Sequence, residues 1–111
     1  MPIRDRWANW PTESQQTAMP IGLLTLEIHL PEAHSLKDKR QVLRSLKDRL
    51  RKKFNVAVAE MEHQDLWQRF TVGIVTLADQ AGFVEHALQG VLEDSESLLG
   101  RRLVDHQIEL L

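Results

Sequence analysis

The chain has 111 residues, 42% apolar and 27% charged, with no cysteine and a formal net charge of −2. That length suits one domain around one core, and the missing cysteine excludes disulfides and thiolate metal sites. No apolar run reaches the roughly 20 residues that span a bilayer, and polar residues between Arg4 and Gln16 interrupt any signal-peptide core, so the expected location is cytoplasmic with no membrane partner.

Residues 1–19 read as a flexible N-terminal extension, with Pro2, Pro11 and a polar TESQQT stretch. Trp7 and Trp10 are its only large aromatics. The folded domain is expected over residues 20–111. From Ile21, Leu24, Leu26, Ile28 and Leu30 alternate with Thr25, Glu27 and His29, the period of a half-buried strand that Pro31 ends. Ser35 is placed to cap a helix, with Asp38 three residues on completing a capping box. Leu36, Leu43, Leu46 and Leu50 then recur at helical spacing.

A second strand is predicted from Phe54 to Glu62 and a third from Gln68 to Leu77, joined by the short connection at 63–67 into a hairpin. Asp79 is the predicted cap of a second helix carrying Ala81, Val84, Leu88, Val91 and Leu92, which Gly100 ends. Leu103 to Leu111 form the last strand, with Val104, Ile108 and Leu110 on one face and Asp105, Gln107 and Glu109 on the other. The order β-α-β-β-α-β predicts an α+β, ferredoxin-like βαββαβ sandwich: an antiparallel four-stranded sheet, order 4-1-3-2, with two helices on one face. In this topology His34, Ser35, Lys37, His63, Asp65, Trp67, Arg69, Arg101 and Arg102 gather at one end.

Three stretches, HSLKDKR at residues 34–40, FNVAVAE at 54–60 and HQDLWQR at 63–69, give the chain a specific resemblance. It resembles the YlxP-like family of small bacterial proteins over about residues 20–111. The resemblance implies a ferredoxin-like fold. Family members are often encoded among translation and ribosome-maturation genes, near ribosome-binding factor A, which implies a connection to RNA or the ribosome. It supplies no reaction and no catalytic residues.

Charge is the strongest functional signal. Nine of the fourteen Lys and Arg residues lie between Leu36 and Lys53, opposed only by Asp38 and Asp48, so this segment is +7 and the rest of the chain −9. Lys37, Arg40, Arg44, Lys47 and Arg51 recur at steps of three or four, which lines them along one helix surface. Such a row suits a phosphate backbone; the blander reading is a solvated face paired with the acidic second helix. The rim residues His34, His63, Asp65, Trp67 and Arg69 extend the candidate surface, although Trp67 reads more readily as a cover over the open core than as a base-stacking ring.

The remaining chemistry is thin. His34, His63 and Asp65, with His29 nearby, have metal-ligand character but no helical histidine spacing. Ser35 is explained as a cap rather than a nucleophile, and Glu60 and Glu62 read as one face of charges that discourages strand pairing. No catalytic residue, cofactor or metal site is therefore expected. Ala57, Ala59, Met61, Val75 and Leu77 should face away from the helices, which makes a homodimer through the open sheet face, or an acidic protein partner, the alternative to RNA.

Overall fold

The computed structural model describes residues 20–62 and 66–111, and the side chain of Glu62 is excepted. The elements are β1 (Ile21–His29), α1 (Leu36–Lys53), β2 (Ala57–Glu62), β3 (Arg69–Leu77), α2 (Ala81–Leu99), a 3₁₀ turn (Gly100–Arg102) and β4 (Leu103–Leu110). All strand pairs are antiparallel, in the order β2-β3-β1-β4. This is the predicted order read from the other edge, and the fold is the α+β sandwich that the periodicities called for. The predicted extension at 1–19, and with it Trp7 and Trp10, lies outside the described residues.

Alternation along the two central strands decides the architecture. Leu24, Leu26 and Ile28 of β1 stand opposite Ile74, Val72 and Phe70 of β3, and all six are essentially water-free. Leu43, Leu46 and Leu50 of α1 and Val84, Leu88, Val91, Leu92 and Leu99 of α2 close over them. The fit is tight where α2 crosses β1: a Cβ on Gly22 would collide with Val84 and come within 2.6 Å of Leu88, so this position admits no side chain without displacing the helix. At the far end of α2, Gly100 takes a positive φ of 57° as its cap, a region that side-chain-bearing residues avoid.

Local chemistry departs from the sequence reading at four places. Phe54 does not begin β2; its N–H bonds the Leu50 carbonyl at 2.9 Å and ends α1, and the strand starts at Ala57. The cap of α2 is Gln80 rather than Asp79, and it makes no side-chain cap bond. In β2 the register shifts between Glu60, opposite Val72, and Glu62, opposite Thr71. Glu60 points to the helix layer, where it meets Lys39, and Met61 occupies the bulge. A matching shift in β4 at the Glu27/Ile28 step brings Leu103 against the core and leaves Val104 exposed, where Val104 was expected to face the core with Ile108.

Candidate nucleic-acid interface

The start of α1 is locked as its sequence requires. Ser35 Oγ accepts the Asp38 N–H at 3.1 Å, and the Asp38 carboxylate accepts the His34 N–H at 2.8 Å. This reciprocal cap reaches one residue further back than a standard capping box, and it fixes the direction in which the basic helix leaves the rim.

The nine cations of this helix then separate into classes that the sequence does not distinguish. Lys39 turns inward among Leu43, Leu46 and Leu50; it is 1% exposed, and its Nζ lies 2.8 Å from Glu60 Oε2. Arg49 and Lys53 face α2. Arg49 grips Asp94 with two bonds, Nε at 2.8 Å and Nη2 at 3.1 Å, and Lys53 Nζ reaches the same carboxylate at 2.8 Å. The expectation of pairing with the acidic second helix thus holds for two residues. Arg51 donates a long bond of 3.4 Å to the Val58 carbonyl of edge strand β2.

Four of the five residues proposed for phosphate contact, Lys37, Arg40, Arg44 and Lys47, make no ion pair among the described residues; the first three are exposed and Lys47 is half-buried. At about 100° per residue they fall, with Arg51, within an arc of about 80°. That arc lies on the flank of α1 turned away from α2, as Arg51's reach to β2 shows. The helix layer is consequently polarised. Its inner seam is bridged by Asp94, while Glu93 and Glu96 stay exposed on α2 and a row of cations lies along the outer flank of α1.

The seam has its own pH signature. Asp94 is only 10% exposed, and its carboxyl is held below the ordinary carboxylate range, first by the Arg49 hydrogen bond; burial opposes this, and the Lys53 bond adds to it. The Arg49 guanidinium is correspondingly raised. A group whose pKa is lower folded than unfolded stabilises the fold above its unfolded value and stops doing so as pH falls through its folded value. Asp94→Asn should therefore lower the urea midpoint at neutral pH, and the gap from the parent should close as acidification carries the pH through the lowered pKa of Asp94, below the ordinary carboxylate range. A gap that persists unchanged into acid would show that the seam is not held by this charge.

At the rim, the loop after β1 and the approach to β3 are stitched together. Leu30 N–H bonds the Gln68 carbonyl at 2.7 Å, and Gln68 Nε2 reaches the carbonyls of Pro31 and Ala33 at 3.5 Å. Arg102 Nη1 lies 3.9 Å from Glu32 on the same end. The predicted gathering of His34, Ser35, Lys37, Trp67, Arg69, Arg101 and Arg102 at one end is thus what the topology produces. His63 and Asp65 lie outside the described residues. Trp67 is 46% exposed and lines a shallow depression of about 300 Å³ with Leu66, Gln68 and Arg69. The end of the core is closed instead by Phe70 and Leu30. Among the described residues no group of three His, Asp or Glu is placed to hold a metal ion, and no helix is long and apolar enough to cross a membrane.

The opposite sheet face is split as expected. Met61, Val75 and Leu77 are exposed beside Ala57 and Ala59, with Met61 laid over Gly73. Glu27, Asp105, Gln107 and Glu109 form the polar half, where the buried Thr71 hydroxyl donates to the Glu27 carboxylate at 2.9 Å.

A βαββαβ sandwich with these motifs on its rim defines a family of small α+β proteins. The chain belongs to the family described as "Protein of unknown function (DUF503)", whose model matches residues 21–108. It is similar to the Uncharacterized protein YlxP of Bacillus subtilis (strain 168), 40% identical over 72 residues that make up 65% of this chain and 78% of that one. Among solved structures it is similar to a C-terminal segment of the alpha subunit of aIF2 from Pyrococcus abyssi, with a TM-score of 0.48 and 16% identity over 89% of this chain and 53% of that one. The chain thus spans about half the length of that segment. The family description and the relative's name assign no reaction.

Proposed function

We propose that this protein is a non-enzymatic, cytoplasmic accessory factor that contacts RNA or the ribosome through the outer flank of α1. The observation that carries the reading is the division of labour among the cations of that helix. Lys39, Arg49 and Lys53 are engaged by Glu60 and Asp94, while Lys37, Arg40, Arg44 and Lys47 make no ion pair among the described residues. A face kept only for solubility gains nothing from such an alignment, whereas a phosphate backbone exchanges condensed counterions for it. Of the rim residues, His34 is exposed beside the start of α1, whereas Arg69 shares a depression with Glu27, His29 and Val104 on the open side of the sheet.

A second reading rests on the exposed aliphatic half of the sheet. Met61 at 50%, Val75 at 37% and Leu77 at 55% exposure form a patch that suits a second copy or another protein. One experiment separates the two. Co-sedimentation with ribosomal particles should be lost in the double variant Arg44→Glu, Lys47→Glu and kept in Met61→Asp, with circular dichroism confirming that both fold. If the charge-reversed variant sediments like the parent, the basic-flank reading is wrong; if Met61→Asp alone abolishes association, the sheet face is the docking surface.

A further inference from the structure

Resting on the proposed RNA contact, we propose that the ligand of the α1 flank is a base-paired RNA stem, held by its phosphates alone and without reading sequence. Three observations narrow the class. First, the flank is straight and rigid: from Lys37 to Lys47 the helix advances about 15 Å at about 1.5 Å per residue, and its start is fixed by the Ser35–Asp38 cap. Second, it offers nothing for a base to stack on. α1 contains no aromatic residue, and the exposed rings among the described residues, Trp67 and Phe83, sit at opposite ends of the domain. Third, among the described residues the broad open sheet face suits a flexible strand poorly. It is aliphatic on its β2–β3 side and mostly acidic on its β1–β4 side, through Glu27, Asp105 and Glu109, with Arg69 at its rim.

Proteins that bind single strands recover the cost of ordering them by stacking bases on aromatic platforms. This surface has cations without a platform, so a single strand would be straightened with no return. A stem holds its phosphates in fixed rows already, and a rigid row of cations meets them without ordering either partner. The acidic corner formed by β1 and β4 lies across the sheet from β2, the edge nearest the cationic flank, so a bulky duplex docks there while keeping clear of the carboxylates.

The arithmetic gives a sharp test. Four phosphate contacts at about −0.9 each predict a slope of about −3.6 for log affinity against log salt, or an affinity loss of about 150-fold between about 50 and about 200 mM. Fluorescence anisotropy of the full chain with a labelled RNA duplex and with one of its strands alone should give at least tenfold tighter binding to the duplex. Changing the duplex sequence should leave the affinity within about twofold, and Lys47→Gln should reduce the slope by about 0.9. Equal or tighter binding to the single strand overturns the stem assignment while leaving the basic-flank reading intact. Displacement of the duplex by poly-glutamate at equal charge concentration overturns it in favour of an acidic protein partner. Binding to neither RNA, together with unaltered ribosome co-sedimentation of the charge-reversed variant, removes both the stem assignment and the reading beneath it.

Discussion

Replacing Glu60 with alanine should destabilise the fold by about 3–5 kcal/mol, the usual cost of breaking a buried ion pair from one side. Lys39 is 1% exposed, and α1 carries its ammonium into the layer between helix and sheet, where Glu60 Oε2 meets it at 2.8 Å. The substitution takes a counter-charge from an ammonium held away from water. The comparison that isolates this cause is the pair replaced together: Lys39→Met with Glu60→Leu should recover most of the loss, because well-packed apolar residues often match or exceed a buried ion pair. Urea unfolding measures both. A loss under about 0.5 kcal/mol for Glu60→Ala, the range of ordinary surface changes, would show that the pair is not structural. On the proposed reading, ribosome co-sedimentation per folded molecule should stay unchanged, since Lys39 is not on the outer flank.

Phe70→Ala should cost a similar amount, about 3–5 kcal/mol. Phe70 is fully buried opposite Ile28, at the end of the core that Leu30 also closes. The residue just before it in the chain that looks more like a plug, Trp67, is 46% exposed. Trp67→Ala should therefore shift stability by only about 0.5 kcal/mol. In a domain of this size 1 kcal/mol corresponds to about 4–8 °C in midpoint, so thermal melts separate the two variants easily. The opposite ranking would mean that the tryptophan, not the phenylalanine, seals the end.

These two cases show where sequence periodicity carries and where it stops. Alternation in β1 and the leucine spacing in α1 were enough for the element order, the sheet order and the cap at Ser35. The row from Lys37 to Arg51 was legible too, because steps of three and four place side chains on one surface of any helix. The same spacing also marks Lys39, because positions 39, 43, 46 and 50 fall on one helical stripe. What the spacing lacks is the counter-charge: the register of β2, which turns Glu60 to the helix side, supplies it. Simple alternation also stops at Glu60, because one inserted residue, Met61, shifts the register against β3. The attachment of Arg49 and Lys53 to Asp94 is set by how the helices pack, which charge counts along the chain do not contain.

The two bulges lie at adjacent steps across the sheet, one in each outer strand, against the Thr71–Val72 and Glu27–Ile28 steps of the central pair. Each outer strand therefore runs straight for only part of its length and then curls. A neighbouring molecule trying to zip alongside meets a ladder that breaks off after a few rungs, and on the β2 side it also meets Arg51 seated on the Val58 carbonyl. The same kinks that re-aim Met61 and Val104 thus act as stops against runaway fibre growth in a crowded cell, a safeguard that costs the domain two residues of regular pairing.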